Sequence, residues 1–170
     1  MKSMLPNEIT DLAQQVVMEN IAAGRTISVA ESCTGGLVSA ALTEIAGSSA
    51  IFKYGFVTYG NEAKIDVLKV NNELIETFGA VSIAVAWAMA QGALAKSGAD
   101  VAVAITGVAG PDGGSEQKPI GTVVFAVAQK GSNPDDIWAD RENFGAGLSR
   151  ADVRMAATLH ALKMLLPPSP

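Results

Sequence analysis

Val101-Ala-Val-Ala-Ile-Thr106 is the stretch on which the fold class turns. A strand with one wet face alternates apolar and polar side chains. This run does not alternate, so it reads as a central strand covered on both faces. Downstream, a polar glycine-rich loop over Gly107–Gly121 leads to a second strand-like run, Thr122–Gln129 (TVVFAVAQ). After a turn at Gly131–Asp135, Ile137–Phe144 alternates charged and apolar residues as an edge strand does. The chain then closes with a helix, Ser149–Leu166, and a Pro-rich tail. Upstream, Ser82–Lys96 reads as a long helix, with shorter ones at Asn61–Leu68 and Asn72–Phe78. Phe52–Tyr59 (FKYGFVTY) and Thr26–Glu31 (TISVAE) read as strands, separated by a helix over about Gly36–Ala46. Asn7–Ala23 places Ile9, Leu12, Ala13, Val16, Val17 and Ile21 on one helical face, with Asn7 as its cap and Gly24 at its end. Strands alternating with helices predict the α/β class: a three-layer α/β/α sandwich on a mixed sheet, in one domain spanning residues 1–170.

Composition narrows the chemistry. Of 170 residues, 49% are apolar and only 17% charged, with glycine adding 17 more, so general disorder is excluded. One histidine and one cysteine exclude Cys/His zinc sites, disulfide frameworks and histidine pairs within one chain, so no metal site is expected. Catalysis would fall to Ser, Thr, Tyr, Lys, carboxylates or backbone groups. A net charge of −5 argues against a nucleic-acid surface. Thr77–Ala95 carries no charge, but its apolar content is mostly alanine and it reads as a buried helix, not a membrane span. The expected setting is a bacterial-type cytoplasm, with Cys33 reduced. The apolar excess also predicts a homo-oligomer, most simply a dimer.

Three junctions are more than connections. In Ala30-Glu31-Ser32-Cys33-Thr34-Gly35-Gly36, the glycines allow a sharp turn, and free N–H groups at a helix start can receive an anion. A serine there sits at the sheet's carboxyl edge, where α/β proteins bind ligands. The competing reading is that Ser32 or Thr34 only caps the helix. In Tyr59-Gly60-Asn61-Glu62-Ala63-Lys64, Asn61 can cap the following helix, which puts Lys64 in its first turn. The positive helix end favours a neutral amine there, one way a lysine becomes a base. The competing reading is a lysine reaching into solvent.

The third junction, residues 107–121, is longer than most connections, and such loops often bind ligands. Gly107, Gly110, Gly113 and Gly114 let the main chain approach a ligand, and Thr106, Ser115 and Lys118 offer donors to phosphate or ribose oxygens. A surface Ω-loop with ordinary turns is the alternative. His160 has no partner nearby in sequence and reads as structural or interfacial. Cys33, with no histidine to activate it, reads as a buried thiol.

Three segments, AESCTGG (30–36), GFVTYGNEAK (55–64) and GVAGPDGGSEQKPIGTV (107–123), resemble the signature segments of the CinA C-terminal domain family. The resemblance runs from the first helix to the last. Members act as nicotinamide-nucleotide amidohydrolases, also called NMN deamidases. Larger members carry an additional N-terminal domain for which this chain has no room, so the stand-alone form is expected. The resemblance implies hydrolysis of nicotinamide mononucleotide to nicotinate mononucleotide and ammonia by a serine mechanism needing neither metal nor cofactor. Carried over by position, Ser32 is the nucleophile, and Lys64 and Tyr59 handle its proton. Gly60 departs from the pattern, since many relatives have serine there. If that hydroxyl supports the lysine, activity here is reduced.

The residues fit such chemistry. A serine hydroxyl needs a base, and without histidine a neutral lysine or a tyrosinate must serve. N–H groups around Cys33, Thr34, Gly35 and Gly36 are candidates for an oxyanion hole. Ser48 is a further candidate for substrate contact, and the 107–121 loop for the ribose and phosphate. A second class of function uses the same loops without turnover: a catalytically silent pyridine-nucleotide-binding or competence/damage-associated interaction module.

Overall fold

Alternating side-chain size explains the layering. On one side of the sheet, Val101, Val103, Ile105, Val123, Phe125 and Val127 present bulk; on the other, Ala102, Ala104, Ala126 and Ala128 present almost none. The computed structural model describes residues 3–145 and 147–168. Its elements are α1 (Asn7–Ala23), β1 (Ile27–Glu31), α2 (Leu37–Thr43), a 3₁₀ turn (Ser48–Ala50), β2 (Phe52–Val57), α3 (Asn61–Leu68), α4 (Asn72–Phe78), α5 (Ile83–Ser97), β3 (Val101–Gly107), β4 (Thr122–Gln129), β5 (Trp138–Asn143) and α6 (Arg150–Met164).

The five strands lie in the order β2-β1-β3-β4-β5. β1 pairs in parallel with β2 (Val29 beside Gly55) and with β3 (Val29 beside Val103). β4 is antiparallel to both β3 (Val103 beside Val127) and β5 (Phe125 beside Asp140). The α/β class and the mixed sheet therefore stand as expected. Helices α1, α2 and α6 cover the bulky face through Ile9, Val16, Val38, Leu42, Val153 and Leu162. Helices α3, α4 and α5 cover the small-residue face through Leu68, Ile75, Val85 and Met89. The alanine face lets α5 lie close. Gly92 on α5 meets the Leu68 carbonyl so tightly that a Cβ would collide with it. The α5 part of the uncharged Thr77–Ala95 stretch is a core element through Val85, Ala86, Met89, Ala90 and Ala93, whereas Thr77 and Phe78 end α4 and Phe78 and Ile83 are about half exposed. Among the described residues no helix is long and apolar enough to cross a membrane.

Several local expectations are corrected. Asn7 is the first residue of α1; its cap position is Pro6, and no side chain caps it. Likewise Asn61 begins α3 behind Gly60 instead of capping it, whereas Asn71 does cap α4 by accepting from the Glu73 N–H. The helix expected to reach Ala46 ends at Thr43, and the chain re-enters the sheet through the 3₁₀ turn. His160, which has no partner nearby in sequence, finds one on β5. Its Nε2 lies 3.3 Å from Asp140 Oδ2, and its ring packs on Phe125 at a centroid distance of 4.3 Å.

Candidate active site

The carboxyl ends of β1, β2 and β3 share one edge of the sheet, and β5 ends there as well. β1 stops at Glu31, and the chain turns through Ser32–Gly36 into α2. Gly35 (φ 60°) and Gly36 (φ 98°) take left-handed backbone, which admits the turn at no steric cost. The Glu31 side chain is fully buried, and its carboxylate accepts from the N–H groups of Gly36 (3.0 Å), Val38 (3.1 Å) and Ser39 (2.9 Å) and from the Ser39 hydroxyl (2.7 Å). These are the orphan donors of a helix start, met by a negative charge at the helix's positive end. Neither Ser32 nor Thr34 is the cap. Glu31 takes that task from the preceding strand and leaves the serine hydroxyl to other partners.

That hydroxyl meets Lys64. The lysine Nζ donates to Ser32 Oγ at 3.1 Å, to the Thr58 carbonyl at 3.0 Å and to the Tyr59 carbonyl at 2.9 Å. Lys64 is 1% exposed and Ser32 7%. Burial holds the amine below the usual lysine value of 10.5, against weaker opposing pulls from Cys33 and Glu62. Desolvation by burial is what favours the neutral form. The consequence is geometric. Carbonyl oxygens can only accept, so whenever the amine is neutral its two N–H bonds go to Thr58 and Tyr59 and its lone pair is left for Ser32 Oγ.

Tyr59 contributes differently from the expectation. Its carbonyl faces Lys64 and lies 3.4 Å from Ser32 Oγ. Its phenol is turned outward, is 59% exposed, and accepts from Arg150 at 3.0 Å. The donors are also fewer than expected. The Gly35 N–H is spent on the Ser32 carbonyl and that of Gly36 on Glu31. The amides of Cys33 and Thr34 accompany the Cys33 sulfur, whose thiol burial pushes up to about 11. Three buried hydroxyls, Thr34, Thr58 and Thr122, have no hydrogen-bond partner among the described residues. All three belong to segments at this same edge, where unmet hydroxyls suit an arriving polar ligand.

The long loop closes the edge from the far side. Thr106 Oγ1 donates to the Ala80 carbonyl (2.9 Å), and Lys118 Nζ donates to the Phe78 carbonyl (2.6 Å). Ser115 Oγ accepts from the Lys118 N–H (3.1 Å). These donors therefore brace the loop against the α4–α5 junction in place of standing free. Gly110, Gly113 and Gly114 all take positive φ, and Gly107 packs on the Thr122 carbonyl and Val123. Ser48 is not brought to the site. It lies in the turn before β2, whose Ile51 pairs with Ile27 at the opposite end of β1. The length of that strand separates Ser48 from Ser32 by roughly 15 Å.

The family model described as the CinA C-terminal domain matches residues 9–167. The chain belongs to the CinA C-terminal domain family. It is 49% identical over 162 residues to the nicotinamide-nucleotide amidohydrolase PncC of Escherichia coli K12, covering 95% of each chain. It is 44% identical to a CinA-like protein of Shewanella sediminis, of which it spans 37%. Among solved structures, the competence/damage inducible protein CihA of Agrobacterium tumefaciens superposes with a TM-score of 0.91 at 46% identity, over 96% of this chain and 97% of that one.

In this CinA domain, two functional candidates escaped the sequence reading. Arg154 donates from Nε to the Cys33 carbonyl (3.1 Å) and from a terminal nitrogen to the Thr34 carbonyl (3.1 Å). Arg150, one turn earlier on α6, reaches the Gly110 carbonyl (2.7 Å) as well as the Tyr59 phenol. Together they stitch the Ser32 turn, the β2 exit and the long loop to one helix, and they place two positive charges beside the serine. The available signal was their spacing of four on the polar face of α6. Nothing in the sequence says which loop that face meets.

Proposed function

We propose that this chain hydrolyses the carboxamide of a nicotinamide nucleotide, nicotinamide mononucleotide being the substrate, and releases ammonia. Ser32 is the nucleophile and Lys64 its base. The observation that carries this reading is the buried Lys64 amine held 3.1 Å from Ser32 Oγ by the Thr58 and Tyr59 carbonyls, with burial lowering its pKa from the usual 10.5. A site that only binds a nucleotide has no use for a lysine amine buried against a serine. The Escherichia coli relative's name as a nicotinamide-nucleotide amidohydrolase supports the same reaction class.

The steps follow from the atoms present. Ser32 Oγ attacks the carboxamide carbon as its proton passes to Lys64 Nζ. The N–H groups of Cys33 and Thr34 are the donors for the oxyanion, where losing one costs about 3 kcal/mol. Lys64 then returns the proton to the amide nitrogen, because ammonia leaves only as the neutral amine. Water repeats the cycle on the acyl-serine, delivers nicotinate mononucleotide and restores Ser32. No step calls on a metal or cofactor. Tyr59 positions Lys64 through its carbonyl, and its phenol with Arg150 lies toward the mouth. Arg150, Arg154 and the amides of the 107–121 loop supply positive charge and donors for the phosphate and ribose.

The reading extends to a cytoplasmic homo-oligomer. Tyr54 and Val57 on edge strand β2, and Tyr59 just beyond it, are at least half exposed, which supports a second copy covering them. The deciding measurement is ammonia release from nicotinamide mononucleotide by purified protein. Turnover that survives a chelator and disappears in Ser32→Ala is expected. A Ser32→Ala variant with full turnover overturns the mechanism, and binding without turnover by the unaltered protein overturns the reaction.

A further inference from the structure

The single histidine of this chain excludes histidine pairs, but it leaves open a set of one imidazole and two carboxylates drawn from separate elements. Asp140 and Glu142 stand two apart on β5, opposite Phe125 and Val123 of β4, and so share the face that α6 covers. His160 comes down from α6 onto the same spot. One ligand atom from each of the three lies within 4.8 Å of the other two, and His160 Nε2 is already 3.3 Å from Asp140 Oδ2. Ligand atoms bound to one ion at about 2.0–2.2 Å lie roughly 3–3.5 Å apart. One pair therefore has the spacing, and a modest turn of the Glu142 carboxylate brings the third atom in.

Two further features favour an ion. The imidazole rests on Phe125 and stands edge-on to Phe144 at 6.4 Å, so its plane is held and its nitrogen stays aimed at the carboxylates. The charge is also one-sided. Among the described residues His160 is the one basic side chain within 4.0 Å of a carboxylate of this cluster, and Glu142 has no Lys or Arg nitrogen within that distance. Arg141, between the two acids, points its guanidinium instead at the Gln117 carbonyl. All three side chains are half-buried, open enough to admit an ion and its waters.

We propose that Asp140, Glu142 and His160 form a binding site for a first-row divalent transition-metal ion, with waters completing its shell. One nitrogen and two carboxylate oxygens suit zinc, cobalt, nickel or manganese better than magnesium or calcium, which favour oxygen alone. The site is separate from the Ser32 edge. β5 is three strands from β1, about 14 Å across the sheet. An ion there ties the outermost strand to α6, the helix whose Arg150 and Arg154 hold the Ser32 turn. Its role is thus to clamp the scaffold, with no part in the bond-breaking steps.

The test uses untagged protein stripped with a chelator and then titrated with Zn²⁺, followed by calorimetry and thermal unfolding, with Co²⁺ absorption reporting nitrogen ligation. One equivalent of Zn²⁺ is expected to bind and raise the unfolding temperature, while Mg²⁺ does neither. Asp140→Asn, Glu142→Gln and His160→Gln should each weaken binding at least about tenfold. His160→Gln also disturbs packing on Phe125, so Glu142→Gln on the open strand is the cleaner variant. Absence of Zn²⁺ binding overturns the site, as does Glu142→Gln binding Zn²⁺ like the unaltered protein, or Mg²⁺ binding equally well. Ammonia release is read separately and is unmoved by the chelator, so failure of either proposal leaves the other standing.

Discussion

The Glu31 carboxylate takes the Ser39 hydroxyl at 2.7 Å in the first turn of α2, sealed from solvent, while the next residue, Ser32, turns its own hydroxyl to Lys64 on the other side of the strand. Glu31, the last residue of β1, and Ser32, the first of the turn, thus divide the work, one fixing the helix and the other facing the base. Glu31→Gln keeps the shape, but its amide nitrogen faces N–H donors and cannot accept from them. The expected loss is about 2–4 kcal/mol, seen as a drop of roughly 5–15 °C in thermal unfolding. An unchanged melting temperature would show that the carboxylate does not hold the turn.

Lys64→Met separates catalysis from stability. Turnover should fall by about 10²–10⁴, the usual worth of a general base. Stability follows the proton balance. The buried amine titrates below the unfolded value of 10.5, so between the two values the unfolded chain holds more protons and stability rises with pH. As pH falls through the folded value, that contribution is lost, because the charged ammonium must then be buried. Lys64→Met should flatten this slope relative to the unaltered protein in denaturant titrations across that window. For the unaltered enzyme, kcat/KM should rise with pH to a plateau reached below the ordinary lysine range.

Tyr59→Phe tests which part of the tyrosine matters. The phenol bonds Arg150 and only the carbonyl reaches Lys64. KM should rise while kcat stays within about tenfold, since the base is untouched. A collapse of kcat matching that of Lys64→Met would place the phenol in proton transfer after all.

Gly60 sits in extended backbone (φ −73°) at the start of α3, a conformation that serine adopts freely. A Cβ there comes within 3.0 Å of the Glu62 carboxylate, the mobile end of an exposed side chain. Gly60→Ser should therefore stabilise the protein by a few tenths of a kcal/mol through helix capping. A loss in thermal unfolding would mean that Glu62 cannot move aside.

Cys33 should be inert. With its pKa pushed to about 11, only about one thiol in ten thousand is ionised at pH 7, and the side chain is buried. Iodoacetamide should label unfolded protein promptly and native protein hardly at all, as mass spectrometry would record. Rapid native labelling would contradict that burial.

Much of the fold was legible because its signals are local. Val101–Thr106 lacks alternation because both faces of β3 are covered, and the helical spacing in α1 names most of its buried side, though Ile21 is 40% exposed and Asn20 is buried instead. Cap positions were less legible, since capping depends on which side chain arrives: Asn7 and Asn61 are good caps by type but lie one residue inside their helices. At the candidate site, Ser32 and Lys64 could be singled out from glycine-rich junctions. Arg150 and Arg154 could not, because their partners lie up to 121 residues away in sequence. Ser48 misled for the related reason that a polar turn carries no mark of the sheet edge it occupies.

By itself the sequence determined the α/β class and the two-sided burial of the central strand, since periodicity and composition act through neighbours along the chain. Tertiary structure alone decided that Glu31 caps α2 and leaves Ser32 free, and that two carbonyls hold the Lys64 amine against Ser32. It also decided that Tyr59 turns its phenol away and that His160 meets Asp140. Each of these depends on which atoms crossing strands and helices bring within hydrogen-bonding distance, and on how much water the packing removes around them.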